Sequence, residues 1–131
     1  MRGLLIIPAY NEAARLPPHL GAVLDYLRAH YPSFELLVVD DGSRDDTAAA
    51  VAAALAGEPR ARVVAYTPNR GKGYAIRTGM LASRDAQVVF LDADLSTPID
   101  EIPNALEHLK QAEVVIGSRD LPGADIRVPQ P

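Results

Sequence analysis

Five short apolar segments alternate with polar stretches along the chain, and each has the length of a buried strand. Their residues are apolar on both faces, which is typical of strands in a parallel sheet covered on both sides. The predicted strands are Leu4–Ile7, Leu36–Val39, Arg62–Tyr66, Gln87–Leu91 and Val114–Ile116. Each lies between segments that carry helix or turn signals, so the pattern predicts alternating strands and helices.

Helical spacing and capping signals predict four helices, over residues 16–27, 44–56, 74–82 and 98–110. Ser43 and Asp46 resemble a capping box at the start of the second helix, and Gly57 would end it. The third helix is expected to turn Ile76, Met80 and Leu81 inward.

Strands that alternate with helices predict an α/β fold: a three-layer, Rossmann-like, mostly parallel sheet of about five strands flanked by helices. Residues 1–119 would form this domain. Residues 120–131 contain three prolines and no periodicity, so they are predicted to be a loop or disordered tail.

Composition narrows the functional classes. The 131 residues are 48% hydrophobic and carry a formal net charge of −4 without a run of Lys or Arg, which argues against nucleic-acid binding. Cysteine is absent, so disulfides and thiolate metal sites are excluded and a cytoplasmic location is expected. No segment approaches the ~20 apolar residues of a membrane span.

Polar segments follow the predicted strands, at residues 8–12, 40–43, 69–73, 92–96 and 117–119. Because the ligand crevice of an open parallel sheet lies beyond the carboxyl ends of its strands, these segments are expected to meet at one edge. The charged residues gathered there would be Glu12, Asp40, Asp41, Arg70, Lys72, Asp92, Asp94 and Arg119.

Asp92 and Asp94 stand two residues apart at the end of a predicted strand, so in extended backbone both side chains project to the same side. Such a pair suits Mg²⁺ or Mn²⁺, which prefer oxygen ligands. A lone Asp-x-Asp is more often a capped turn, and it is the four other polar segments that favour the metal site. Gly71-Lys72-Gly73 is only a fragment of a dinucleotide-binding motif, and no P-loop sequence occurs.

Five motifs in this order carry a family resemblance. They are Pro8-Ala9-Tyr10-Asn11-Glu12, Val38-Val39-Asp40-Asp41-Gly42-Ser43, Asn69-Arg70-Gly71-Lys72-Gly73, Asp92-Ala93-Asp94 and Gly117-Ser118-Arg119. Over residues 4–119 the chain resembles family 2 glycosyltransferases of the GT-A fold. Within that family it looks most like the polyprenyl-phosphate (dolichyl-phosphate) glucosyl- and mannosyltransferases.

The resemblance implies a role for each motif. Residues expected to line the base and ribose are Pro8, Ala9, Tyr10 and Glu12, with Asp40 accepting from the base. Asp92-Ala93-Asp94 would be the DxD motif that binds the ribose and the Mg²⁺ or Mn²⁺, with Asp94 the better candidate ligand. Lys72 would approach the donor phosphates and Arg119 the phosphate of a lipid acceptor. Asp41 would contact the donor, orient Lys72 or cap the helix after Ser43.

The reaction so implied is an inverting transfer from a UDP- or GDP-hexose to an acceptor, expected to be polyprenyl phosphate. Ser96 favours the glucosyl type, and a lipid acceptor would place the protein at the cytoplasmic face of a membrane. Two alternatives stay open. One is a catalytically incomplete nucleotide-sugar binding module, because the family continues beyond Pro131; its exposed sheet edge would favour a homodimer. The other is a nucleotidyltransferase of related fold, although such enzymes carry a Gly- and Arg-rich loop after the first strand.

Overall fold

The computed structural model describes residues 3–82, 87–93 and 103. The elements follow the order β1 (Gly3–Ala9), α1 (Pro17–His30), β2 (Phe34–Asp41), α2 (Thr47–Ala54), β3 (Ala61–Tyr66), α3 (Lys72–Leu81) and β4 (Gln87–Phe90). All pairings among the four strands are parallel, and the sheet order is β3-β2-β1-β4. The predicted α/β fold with a mostly parallel sheet is confirmed. The predicted fifth strand and fourth helix lie outside the described residues.

Alternation along the strands divides the core into two layers. Leu5, Ile7, Leu36 and Val38 face the layer that contains α1 and α2. The intervening residues, Leu4, Ile6, Leu37 and Val39, face α3 on the other side of the sheet. Because successive side chains of a strand point to opposite faces, a strand apolar at every position must be covered on both faces.

Strand order creates a crevice between β1 and β4. The chain moves outward from β1 through β2 to β3 with α1 and α2 on one face of the sheet. It then returns along α3 on the other face and adds β4 on the opposite side of β1. The connections after β1 and before β4 therefore lie on opposite faces. Ligands of open α/β sheets bind at such a switch point, beyond the carboxyl ends of the strands.

Strands β1 and β2 are longer than predicted. Pro8 was expected to end β1, but it pairs with Val39 inside the sheet. Pro8 lies two residues after Ile6, so the backbone groups of both residues face the same side of β1. The Ile6 carbonyl accepts the Leu91 N–H from the β4 side. The missing N–H of Pro8 therefore faces the side where β4 has already ended, so no ladder hydrogen bond is lost.

The prediction that Asp40 and Asp41 break β2 is also wrong, because they pair with Ala65 and Tyr66 of β3. As neighbours in a strand, the two carboxylates point to opposite faces of the sheet.

Two helix predictions need correction. Helix α2 begins at Thr47, not at about Arg44, and Ser43 does not form a capping box because its hydroxyl bonds Asp40 instead. Helix α3 runs from Lys72 and does not bury Met80 or Leu81, which are 50% and 71% exposed.

Small residues form the contact face of α3. Ala75 and Gly79 are its buried positions, and a Cβ on Gly79 would lie 2.7 Å from the Ile6 Cδ1 atom. The helix therefore packs close to the sheet through its smallest side chains. Among the described residues, no helix combines the length and the apolar character needed to cross a membrane.

Candidate functional site

A cleft of about 360 Å³ lies at the switch point, beyond the carboxyl ends of β1 and β4. Its volume falls in the range of about 300–1,000 Å³ that is usual for small-molecule sites. The residues that line it are Pro8, Ala9, Tyr10, Glu12, Arg15, Asp41, Asn69, Gly71, Lys72, Asp92 and Ala93. Most of the polar segments predicted to meet at this edge therefore do meet there.

The loops after β1 and β2 are joined by hydrogen bonds that shape one wall of the cleft. The Asn11 N–H donates to the Ser43 hydroxyl (2.9 Å), and the Asn11 side-chain oxygen accepts from the Arg44 N–H (2.8 Å). The Glu12 N–H donates to the Thr47 hydroxyl oxygen at 2.9 Å, and Thr47 is fully buried. Asn11 adopts a φ of +52°, a conformation that Asn tolerates better than most residues. The lining residue Glu12 is thus anchored through its backbone.

Asp45 completes this loop contact. Its carboxylate accepts the Ala13 N–H at 3.3 Å and the Thr47 N–H at 3.0 Å, and it also bonds the Thr47 hydroxyl. The hydrogen bond from the Thr47 side chain is the main reason that the pKa of Asp45 is lowered from its usual value. The start of α2 is therefore stabilised by Asp45, a residue that the sequence pattern did not single out.

The Asp41 carboxylate organises the segment that leads into α3. It accepts hydrogen bonds from the Tyr66 hydroxyl (2.5 Å), the Asn69 amide (2.7 Å) and the backbone N–H groups of Arg70 and Gly71 (both 2.9 Å). Asp41 is only 4% exposed. Its two oxygens are thus occupied by four protein donors, which fix the backbone just before Lys72.

Tyr66 and Gly42 support the same segment. Burial, and then the hydrogen bond to Asp41, raise the pKa of Tyr66 well above its ordinary value, so the phenol remains a donor at neutral pH. Gly42 has a φ of +68°, and a Cβ there would lie 2.3 Å from the Asn69 backbone nitrogen. Only glycine allows the two loops to approach this closely.

Glu12 and Arg15 form a charged pair in the cleft. The guanidinium donates to both carboxylate oxygens, at 2.7 Å from Nε and 2.6 Å from Nη2. The Glu12 side chain is 10% exposed and that of Arg15 is 65% exposed, so the pair presents its cationic side to solvent. Sequence reasoning missed Arg15, although its spacing of three residues from Glu12 is the spacing of a local ion pair.

Lys72 and Asp92 form a second charged pair in the cleft. Lys72 is the first residue of α3 and Asp92 follows β4, and the ammonium group donates to Asp92 Oδ1. Both side chains are partly open to the cleft, with exposed fractions of 54% for Lys72 and 39% for Asp92. The α3 N-terminus, with its unpaired backbone N–H groups, lies at the same wall and favours negative charge.

One described residue of the predicted site, Asp40, is not among those that line the cleft. Asp40 is buried and accepts hydrogen bonds from the N–H (3.1 Å) and hydroxyl groups of Ser43. Asp94 and Arg119 lie outside the described residues. Pro8, Ala9, Tyr10 and Ala93 do line the cleft, and Tyr10 is 41% exposed there.

The carboxylates of the cleft determine whether it could hold a divalent cation. Within residues 3–82, 87–93 and 103, no group of three or more metal-ligating side chains occurs. Asp92 is the described carboxylate of the predicted DxD motif and accepts from Lys72, whereas Asp41 and Glu12 each accept two or more hydrogen bonds from protein donors. One carboxylate suits Mg²⁺ or Mn²⁺ when phosphate oxygens and water complete the coordination. The residues therefore fit a cation that arrives with a diphosphate.

Comparisons with known proteins agree with this geometry. Residues 4–130 match Glycosyl transferase family 2. A dolichyl-phosphate beta-glucosyltransferase of Drosophila melanogaster is 40% identical over an alignment of 132 positions, and the match covers 88% of this chain and 40% of the relative. The chain therefore spans about two fifths of the length of the curated relatives that it matches.

Solved structures give the same fold. A mannosyltransferase from Pyrobaculum calidifontis, in complex with GDP-Man and Mn²⁺, has a TM-score of 0.69 and 34% identity, and the match covers 82% of this chain and 32% of that one. Glucosyl-3-phosphoglycerate synthase from Mycobacterium tuberculosis, in complex with Mn²⁺, UDP and phosphoglyceric acid, has a TM-score of 0.59 and 29% identity. That match covers 85% of this chain and 39% of the synthase chain.

Proposed function

The chain belongs to Glycosyl transferase family 2, and from this premise we propose that its cleft binds the nucleoside diphosphate part of a sugar donor. The observation that carries the proposal is the cleft itself: its walls join an exposed aromatic ring, a half-exposed carboxylate and the N-terminus of α3. A nucleoside diphosphate presents a base, hydroxyl groups and a dianionic group, and each of these has a suitable partner in that set.

The lining residues divide between the parts of such a donor. We assign the base and ribose to the wall formed by Pro8, Ala9, Tyr10 and Glu12, where the Tyr10 ring offers a stacking surface. Asp40 stays a proposed base ligand. We assign the diphosphate to Lys72 and the α3 N-terminus, because a helix N-terminus is suited to phosphate. Asp41 is assigned an indirect role, because it holds the backbone of Arg70 and Gly71 and so positions Lys72.

The DxD residues complete the donor site. We propose that Asp92, Ala93 and Asp94 contact the ribose and hold Mg²⁺ or Mn²⁺ together with the diphosphate, with Asp94 as the principal protein ligand. When bound, this cation would neutralise the charge that develops on the leaving diphosphate. The presence of Mn²⁺ and a nucleotide in two similar structures supports the assignment.

The proposed reaction is an inverting displacement. An ionised phosphate oxygen of the acceptor forms a bond to the anomeric carbon, while the bond from that carbon to the diphosphate oxygen breaks and the nucleoside diphosphate leaves with the electron pair. We propose polyprenyl phosphate as the acceptor, since similar enzymes are named for dolichyl phosphate. Its oxygen needs no general base near neutral pH, so positioning and electrostatics supply the rate. Arg119 is proposed to hold the acceptor phosphate, at a membrane surface.

Calorimetry with UDP, GDP, UDP-glucose and GDP-mannose, each with and without Mn²⁺, tests donor binding. Asp92→Asn is expected to weaken Mn²⁺-dependent binding by at least about tenfold. Changes in the protein groups around a metal typically lower its affinity by about 10- to 100-fold, and tenfold is the lower end of that range. Asp25→Asn, at a side chain that is 79% exposed on α1, is the matched control and should bind as the original chain does. Unchanged Mn²⁺-dependent binding in the Asp92 variant would contradict the proposal.

Donor binding without transfer is a second candidate function, because the roles proposed for residues of the described cleft all concern the donor. An assay of sugar transfer to polyprenyl phosphate separates the two: turnover supports the transferase, and tight donor binding without turnover supports the binding module. Self-association is a related proposal, since β3 and β4 are the outer strands of the described sheet. Light scattering after size-exclusion chromatography tests it, and a strict monomer would count against it.

A further inference from the structure

The ion pair between Lys72 and Asp92 joins two residues that the proposed function uses for different parts of the ligand. Lys72 is assigned to the diphosphate and Asp92 to the cation, yet in the described structure the ammonium group donates to Asp92 Oδ1. They lie 20 residues apart in sequence, on α3 and after β4, so the pairing is a product of the tertiary fold.

The ammonium group and a divalent cation compete for the same carboxylate. An oxygen that accepts from Lys72 has less negative charge to offer a metal, and the lysine places a like charge beside the incoming cation. Among the described residues, Asp92 is not part of a group of three or more metal-ligating side chains. A cation that arrives without phosphate therefore finds Asp92, one of its two proposed carboxylate ligands, already paired with Lys72.

We infer that Lys72 and the divalent cation exchange on Asp92, an inference that rests on the proposed donor site. Without a donor, Lys72 neutralises Asp92. When diphosphate and cation enter together, the cation takes the carboxylate and Lys72 turns to the phosphates. Lys72 thus opposes cation binding by the free protein and favours it when a diphosphate is present, so metal and donor bind as a unit.

The surroundings of Lys72 allow its side chain to move while its backbone stays in place. The backbone N–H groups of Arg70 and Gly71 are held by Asp41 at 2.9 Å, directly before the lysine. The Lys72 side chain itself is 54% exposed and carries its charge on a flexible four-carbon stem. The exchange therefore requires only side-chain rotation and no displacement of α3.

The test measures Mn²⁺ binding by electron paramagnetic resonance, which detects the free hydrated ion, for the original chain and for Lys72→Met. With Mn²⁺ alone, Lys72→Met is expected to bind up to about fivefold more tightly, the range that loss of an exposed ion pair allows. With saturating UDP or GDP, the same variant is expected to bind Mn²⁺ more weakly than the original chain. This reversal of sign is the signature of exchange.

Arg70→Met is the matched control. It removes the same unit charge from the same segment, but the Arg70 guanidinium lies over the Tyr74 ring, 5.1 Å from its centroid. It should change Mn²⁺ affinity in the same direction with and without nucleotide. Lys72→Arg keeps the charge and should bind Mn²⁺ alone as weakly as the original chain does. Circular dichroism checks that each variant is folded.

The outcomes separate this inference from the proposed function. If the original chain binds UDP or GDP with Mn²⁺ but Lys72→Met binds Mn²⁺ alone no more tightly, the exchange is wrong and the donor site stands. The exchange is also wrong if Arg70→Met reproduces the reversal, because the effect would then be one of net charge. If the original chain binds neither nucleotide at any Mn²⁺ concentration, the proposed function itself fails.

Discussion

Removal of the Asp41 carboxylate is expected to release the segment that precedes α3 and to lower the free energy of unfolding. Asp41→Ala leaves four donors without their acceptor: the Tyr66 hydroxyl, the Asn69 amide and the N–H groups of Arg70 and Gly71. Hydrogen bonds to a charged partner contribute about 1.5–3 kcal/mol each.

The loss is expected to be smaller than the sum of four such bonds. The donors belong to one network, so their contributions are not additive. Asn69 and Arg70 are exposed residues, and their freed groups can bind water. The substitution also removes a buried charge. A loss of about 3 kcal/mol is therefore expected, within the range for breaking a buried polar network.

Urea unfolding followed by circular dichroism measures this change, with Asp25→Ala as the control. The Asp25 side chain is 79% exposed and pairs with Arg28 at 3.2 Å, so its removal should cost less than about 1 kcal/mol. Hydrogen exchange at the Arg70 and Gly71 amides is the second measurement, and it should become faster only in the Asp41 variant. Equal losses in the two variants, or unchanged exchange at those amides, would refute the role given to Asp41.

Three further predictions concern other contacts. Gly42→Ala should lower the free energy of unfolding, measured by urea unfolding, by about 3 kcal/mol, because its Cβ would meet the backbone of the neighbouring loop. Gly57→Ala is the control: its φ is +86° and nothing lies within 4 Å of the added Cβ, so it should cost only about 1 kcal/mol. Thr47→Val should cost about 2 kcal/mol by the same measurement, since it leaves a buried N–H without an acceptor; an unchanged midpoint would contradict this. Arg28, and then Arg60, lower the pKa of Glu58 from 4.5 to about 2. Since the folded pKa is depressed, the stability that Glu58 contributes is full above pH 4.5 and is lost as pH falls toward 2, so urea midpoints of the original chain and Glu58→Gln should converge over that window.

Local sequence patterns were sufficient for the four strands that the structure describes, because a segment that is apolar on both faces has few alternatives to a covered parallel sheet. The motifs after those strands identified the family correctly and located most of the cleft-lining residues. That inference needed no side-chain geometry, since the carboxyl ends of all parallel strands lie at one edge of the sheet.

Patterns of residue type did not predict which face of α3 packs on the sheet, because that face depends on how closely the helix approaches the strands. The size of Met80 and Leu81 suggested the inward face of α3, yet the close approach of the helix to Ile6 selects Ala75 and Gly79 instead. Periodicity reports which residues are apolar, but it does not report how near two elements come.

Side-chain partners also depended on the tertiary structure. Ser43 looks like a helix cap in sequence, but the loop after β1 brings Asn11 to it, and its hydroxyl serves Asn11 and Asp40. Asp41 and Lys72 look like ligand residues, and only the approach of β3, α3 and β4 shows which donors and which carboxylate they meet. The sequence by itself determined the fold class, the family and the edge of the sheet where the cleft lies. The tertiary structure decided the pairing of charges at that edge, because those contacts join residues that are distant along the chain.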